Sequence, residues 1–235
     1  MHFTWISYVP GLNLLPNQTA MALLVAVGLL VWAGVALRRM RAAADAVVPD
    51  ESLTARNILE IVVEQFAGLV ESVLGPEGRR YVPLYGSFFL FILVSNLTGL
   101  IPGFSPPTSN INVTFALGLT SFIMYNYFGF REQGTGYLKH FVGPLPLLAV
   151  LMVPLEIIDN CVRPVTLSLR LAANMSADHL VLGIFTDLTK LVIPVVFYVL
   201  GAFVCVVQTF VFTLLSLVYV SLAVAGHGEH EEHAH

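Results

Sequence analysis

Residues 163–178 read RPVTLSLRLAANMSAD, an apolar run with one arginine at its start, Arg163, and another at its centre, Arg170. An arginine at membrane depth costs roughly 2.5–3.5 kcal/mol to insert. It cannot avoid that cost by losing its proton, because its pKa stays above about 12. Arg170 therefore needs a carboxylate partner, a wet cavity or both, and this requirement indicates a path for ions.

The composition of the whole chain is that of a membrane protein. Of its 235 residues, 57% are hydrophobic and 11% are charged, whereas soluble domains are about 25% charged. Asp, Glu, Lys and Arg are absent from residues 1–37, 81–130 and 191–228. Because a helix needs about 20 mostly apolar residues to cross a bilayer, these three runs predict one, two and one membrane spans.

The first third of the chain predicts one span and one surface helix. After an outer segment, residues 1–18, span one is expected at 19–37. Residues 51–75 repeat apolar side chains every three or four positions, which is typical of an amphipathic helix on the membrane surface. The basic cluster that follows span one marks the inner face of the membrane and consists of Arg38, Arg39 and Arg41.

The rest of the chain forms a predicted core of membrane helices, residues 82–225. Spans two and three are expected at about 82–101 and 111–128, joined by an outer loop rich in proline. The helical stretch at about 145–187 is too long for one perpendicular span. We therefore expect a steeply tilted or near-horizontal helix that pairs with the last helix, at about 191–225.

Together these patterns predict an all-α, polytopic membrane protein that forms a single domain over residues 1–235. It has about five membrane helices in addition to the surface helix. A short amphipathic stretch is expected at about 136–142 and a polar tail at 226–235. Because the basic cluster after span one lies inside, the N-terminus is expected outside. Arg131 and Lys139 place the end of span three inside, which is consistent with this, and the C-terminus is expected inside.

Charged and polar side chains share one face of the predicted long helix. At 100° per residue, six of them fall within an arc of about 100°, whereas His179 falls on the opposite side. Charges gathered on one face of a buried helix indicate a polar path or a charged partner. The six residues are Glu156, Asp159, Arg163, Arg170, Asn174 and Asp178.

Different explanations are open for these polar groups. Asp159 and Arg163 are four residues apart and can form an internal, structural ion pair. Arg170 has no acidic residue three or four positions away, so we expect its counter-charge on another chain. Gln208 in the last helix either bonds two helices together or, if it packs against Arg170 and Asn174, lines the polar path.

The run at 163–175 resembles the signature of the a subunits of F-type ATP synthases, a basic residue followed by Pro-Val-x-Leu-x-Leu-Arg-Leu-x-x-Asn-Met. Residues 96–102 (NLTGLIP) are similar to that family's end of span two, and residues 107–114 (PTSNINVT) to its start of span three. Gln208 and residues 217–223 resemble its last helix. The resemblance extends over the whole predicted core of membrane helices.

This resemblance implies a stator subunit that forms two proton half-channels against a rotating ring of c subunits and couples proton flow to ATP synthesis. Arg170 matches the arginine that faces the ring carboxylate and blocks a proton leak. Asn174 and Gln208 match polar residues of the outer half-channel. Glu156 matches an acidic residue that lines the inner half-channel.

Two positions depart from the family's pattern. The family commonly has a glutamate nine residues after the arginine, where this chain has His179 preceded by Asp178. Its partner histidine on the last helix is Gly201 here. We expect Asp178 and His179 to share the outer relay, and Asp159 and Arg163 to lie in the inner half-channel or to form structural ion pairs.

The resemblance also implies partners and a location. The expected partners are the c-ring with its Asp or Glu carboxylates, the peripheral-stalk b subunits, the rest of the ATP synthase complex and the lipid bilayer. The chain is expected not to be catalytic alone, and to bind neither a cofactor nor a metal. The expected location is the bacterial inner (plasma) membrane.

Two other function classes fit parts of the sequence. A stand-alone ion channel or secondary transporter also has intramembrane charges, but the spans show no obvious inverted repeat. An intramembrane metalloenzyme is suggested by the His- and Glu-rich residues 227–235, which lack the His-Glu-x-x-His order, and we expect a solvated tail there. No basic stripe indicates nucleic-acid binding.

Overall fold

The computed structural model of the chain describes residues 16–42, 55–101, 103–134, 136–137, 149–188 and 192–224. The helices in these ranges are α1 (Asn17–Ala42), α2 (Ala55–Leu74), α3 (Val82–Thr98), α4 (Ile111–Gln133), α5 (Ala149–Leu188) and α6 (Val192–Val224). Two 3₁₀ turns, Pro76–Tyr81 and Pro107–Ser109, precede α3 and α4. The described residues contain no β-strand, which confirms the predicted all-α class.

Four stretches are long and apolar enough to cross a membrane, at Asn17–Arg38, Pro76–Thr98, Ile111–Gln133 and Pro194–Val224. The long helix α5, with 40 residues, is not among them. At 1.5 Å per residue it measures about 60 Å, twice the hydrocarbon core of about 30 Å, so it runs obliquely or along the membrane. The prediction of a polytopic protein with about five membrane helices is therefore confirmed.

The helices end where local sequence stops helical hydrogen bonding. α2 ends before Gly75, whose φ of 74° is a left-handed conformation that glycine adopts without strain. α4 begins after Asn110, whose side chain accepts a hydrogen bond from the backbone N–H of Asn112 at 2.9 Å. It ends at Gly134, with φ 55°, and so continues past residue 128, where the apolar run and the predicted span end.

The predicted surface helix α2 packs against α1, α3 and α6. It buries Phe66 and Val70 and exposes Glu64, as the amphipathic pattern predicts. Phe66 packs on Phe89 of α3, with ring centroids 5.4 Å apart. Parts of the predicted outer segment, of the stretch at 136–142 and of residues 51–75, and the whole predicted tail, lie outside the described residues.

A second apolar cluster holds the middle of α5 in place. Leu167, Leu171 and Met175 of α5 pack against Ile92 of α3 and Phe212 of α6. All five side chains are buried, and in a membrane such contacts hold helices together through close van der Waals packing. Leu167 and Leu171 lie on either side of Arg170 in the sequence, so the backbone that bears this arginine is firmly packed.

Candidate functional site

Arg170 lies on the exposed face of α5. Leu169 beside it is 46% exposed, and Val165 one turn earlier is 40% exposed. Neither a hydrogen bond nor an ion pair joins Arg170 to any residue that the structure describes. A permanent cation on an apolar, uncovered helix face calls for a counter-charge or water from beyond the described residues.

One turn further along α5, Asn174 meets the last helix. Its side-chain Nδ2 donates a hydrogen bond to Oε1 of Gln208 on α6 at 2.8 Å. Gln208 is buried, whereas Asn174 is exposed on the same side as Arg170. The pair therefore bonds two helices together and also presents an amide beside the arginine, so both interpretations of Gln208 fit this geometry.

A buried polar network that the sequence patterns did not single out lies behind Gln208. Asn96 of α3 donates through Nδ2 to Thr209 Oγ1 at 3.2 Å and accepts from Thr108 Oγ1 at 2.6 Å. All three side chains are buried. The network joins α3, the turn before α4 and α6, and it fixes the rotation of α6 next to Gln208. The only signal for this network in the sequence was the similarity of two segments, which contain Asn96 and Thr108, to the a subunits of F-type ATP synthases.

We predict that Asn96→Ala destabilises the fold by about 1–3 kcal/mol, because the buried Thr108 hydroxyl loses its acceptor. A thermal unfolding measurement on the purified complex in detergent checks this. Asn112→Ala is the matched control, since the Asn112 side chain is exposed and its capping bond uses the backbone N–H. Equal unfolding temperatures for the two variants would contradict the prediction.

Asp178 packs against α6 at Gly201. A Cβ atom placed on Gly201 would lie 2.8 Å from Asp178 Oδ2 and 3.0 Å from Leu100 Cδ2, both closer than ordinary contact. The absence of a side chain at Gly201 therefore makes the space that the Asp178 carboxylate occupies. His179 is half-buried, and its Nδ1 is shielded and has no hydrogen-bond partner among the described residues.

The other charged residues lie towards the start of α5. Arg163 Nη2 contacts Asp159 Oδ2 at 2.5 Å, so the internal ion pair predicted from their spacing is present. The Arg163 guanidinium also lies 5.1 Å from the centre of the Tyr219 ring. A cavity of about 200 Å³ adjoins this pair and is lined by Tyr125, Tyr137, Glu156, Asn160, Arg163, Leu222 and Ala223.

The structure thus separates the predicted site residues into two groups on α5. Asn174 and Asp178 contact α6 on one side of Arg170, and Glu156 and Arg163 share a cavity on the other. No cluster of three or more His, Cys, Asp or Glu placed to hold a metal occurs within the described residues. The His- and Glu-rich tail lies outside them.

The fold and the site define a class: a multi-pass helical membrane protein in which a long helix presents, between two polar regions, an arginine that has no counter-charge among the described residues. The sequence matches the family model described as ATP synthase A chain over residues 19–221. The chain belongs to the ATP synthase A chain family. It is therefore a non-catalytic membrane subunit of an ATP synthase complex.

Relatives from three bacteria agree with this assignment. ATP synthase subunit a of Bdellovibrio bacteriovorus is 45% identical over 229 residues, which cover 96% of this chain and 99% of the relative. Its counterpart in Sorangium cellulosum is 43% identical over 204 residues, covering 86% and 80%. ATP synthase subunit a 1 of Syntrophotalea carbinolica is 48% identical over 166 residues, covering 71% of each chain.

Proposed function

We propose that this subunit is the stator element that forms two proton half-channels against a rotating ring of c subunits. Arg170 is the residue that faces the ring carboxylate. The observation that supports this most directly is the position of Arg170, on an exposed apolar face with no counter-charge among the described residues. A carboxylate on the ring supplies the missing charge.

Arg170 makes the ring carboxylate release its proton. A carboxyl group that faces lipid keeps its proton, because a low dielectric disfavours its charged form, the carboxylate. Beside a guanidinium, within about 4–6 Å, the charged form becomes favoured and the proton leaves. As a ring subunit moves from lipid to Arg170, its proton affinity falls, and this change is the coupling step.

Arg170 also prevents a short circuit. Its charge is permanent, so a proton cannot hop past it from one half-channel to the other. The proton must travel around the ring instead, bound to a carboxylate. Moving one charge through 100 mV supplies about 2.3 kcal/mol, and this free energy biases the direction of rotation.

The two polar regions of α5 serve as the half-channels. Glu156 and Asp178 are separated by about 33 Å of helix at 1.5 Å per residue, with Arg170 between them. Asp178, His179, Asn174 and Gln208 form the outer route. Glu156 lines the inner one, beside the ion pair of Asp159 and Arg163, and the cavity next to Glu156 has room for several water molecules.

The orientation follows from the basic residues. Arg80 Nη1 contacts Glu132 Oε1 at 3.0 Å, which brings the turn before α3 and the end of α4 to the same side. Arg131 lies next to Glu132 in sequence, and clustered arginines mark the cytoplasmic side. We therefore propose a bacterial inner-membrane protein with its N-terminus outside and its C-terminus in the cytoplasm, bound to the c-ring and to the peripheral-stalk b subunits.

We predict that a cysteine at Leu169 forms a cross-link to a cysteine placed beside the ring carboxylate. The native exposed Cys161 is first replaced by serine to remove its background reaction. Leu30→Cys on α1 is the matched control, because Leu30 is 73% exposed but lies on another helix. Immunoblots of oxidised membranes show the cross-link with Leu169→Cys and not with Leu30→Cys.

If the complex assembles but Leu169→Cys gives no cross-link, the ring does not contact this face of α5. Proton flux through the purified chain alone in vesicles, without a ring, would instead favour a stand-alone channel.

A further inference from the structure

The long helix α5 touches α4 at one very close point. A Cβ atom placed on Gly118 of α4 would lie 2.8 Å from the backbone carbonyl oxygen of Pro164 and would overlap the Ser168 hydroxyl. The Ser168 Oγ is itself fixed, because it donates a hydrogen bond to that carbonyl at 2.5 Å. Ser168 and Pro164 are both buried. No side chain fits at Gly118 unless the helices separate.

A second contact between the same two helices lies two turns away. Pro164 has no N–H, so the Asn160 carbonyl lacks its usual partner within the helix. The Tyr125 hydroxyl of α4 lies 3.3 Å from that carbonyl oxygen and also contacts the Asn160 side-chain oxygen. Tyr125 is buried, and its hydroxyl therefore ties α4 to α5 at a defined register.

The two contacts hold a short piece of α5 in a fixed register on α4. Ser168 precedes Arg170 by two residues, so the depth and rotation of the arginine follow directly from this contact. In membranes, small residues at helix crossings allow backbones to approach closely. Next to Ser168 on the buried side of α5, Leu167 and Leu171 pack against α3 and α6. A larger residue at the crossing cannot be accommodated by α5 moving further into the bundle.

We propose that Gly118 is a positioning residue for Arg170. Its missing side chain sets the α4–α5 distance, and thereby the place at which the guanidinium meets the ring carboxylate. This inference rests on the role of Arg170 given above. No residue of α4 needs to touch the proton or the ring for the effect to occur.

The test uses Gly118→Ala in the intact ATP synthase in membrane vesicles. We expect ATP-driven proton pumping per assembled complex to fall about ten-fold, because a misplacement of about 1 Å at a reacting centre can cost about 10²-fold. Gly28→Ala on α1 is the matched control, since nothing lies within 4 Å of a Cβ at Gly28. A purely structural role would lower the amount of complex and leave the rate per complex unchanged.

A rescue experiment separates positioning from general damage. Ser168→Ala removes the hydroxyl that the new methyl group overlaps, so Gly118→Ala/Ser168→Ala should pump about three-fold faster than Gly118→Ala. Ser168→Ala alone provides the reference rate. Recovery in the double variant supports the proposal, and normal pumping per complex by Gly118→Ala overturns it.

If Gly118→Ala does not accumulate in the membrane, Ser168→Thr enlarges the same contact from the side of α5. Slower pumping per complex then supports the proposal and a normal rate overturns it. Arg170→Ala is measured in the same vesicles. If Arg170→Ala pumps normally, the proposed role of the arginine fails. If Arg170→Ala does not pump but the Gly118 variants pump at the normal rate, only the positioning inference fails.

Discussion

Arg170→Ala is expected to abolish proton-driven ATP synthesis while the complex still assembles. The arginine makes no bond to any described residue, so its removal disturbs little of the subunit's own packing. In the proposed function, the substitution removes the charge that makes the ring carboxylate ionise. Loss of one preorganised charge at a reacting centre typically costs about 10²–10³-fold in rate, and we expect ATP synthesis to fall at least that far.

The same variant is expected to leak. Without the guanidinium, nothing prevents a proton from passing directly between the two half-channels. A pH-sensitive dye in vesicles stripped of the catalytic sector measures this passive flux separately from synthesis. Arg79→Ala is the matched control, because Arg79 is exposed and pairs with Glu71 at the end of α2. Normal ATP synthesis in Arg170→Ala membranes would falsify the proposed mechanism.

Asp178→Asn is expected to slow proton entry without opening a leak. Asparagine keeps the shape that packs against Gly201 but cannot carry a proton at this position. Removing a proton-transfer group typically costs about 10²–10⁴-fold when it acts alone. We expect a smaller fall in flux, about ten-fold, because His179 is adjacent and shares the route.

Two further variants sharpen this prediction. Gly201→Ala introduces a methyl group into the space of the Asp178 carboxylate, and it should slow proton flux in the same direction. Glu77→Gln removes an exposed acid of the turn before α3, which is not one of the proposed route residues, and should leave the flux unchanged. Dye-monitored proton flux in vesicles compares all three variants. Unchanged proton flux in Asp178→Asn vesicles would show that Asp178 is not part of the proton route.

Much of the fold followed from patterns along the chain. Charge-free runs of sufficient length predicted the spans, and the polar stretch predicted one unusually long helix, a length that the 40 residues of α5 confirm. The internal pair of Asp159 and Arg163 followed from their spacing. These features could be predicted because they depend on hydropathy and on the 3.6-residue period, which are local properties of the sequence.

The contacts between helices could not be predicted in the same way. No pattern indicated that Asn96 would bond Thr209, that Asp178 would lie against Gly201, or that Gly118 would meet Pro164. Each of these contacts joins segments tens of residues apart, and each depends on the rotation and depth of two helices at once.

The primary structure was enough to establish a membrane protein and to predict that its central arginine needs a partner on another chain, because the cost of burying a permanent charge does not depend on the details of packing. The folded arrangement was needed to show which side of α5 remains uncovered and how closely α4 approaches it. Helix packing decides those two properties, since side chains from different segments fit together only once the helices have taken their places.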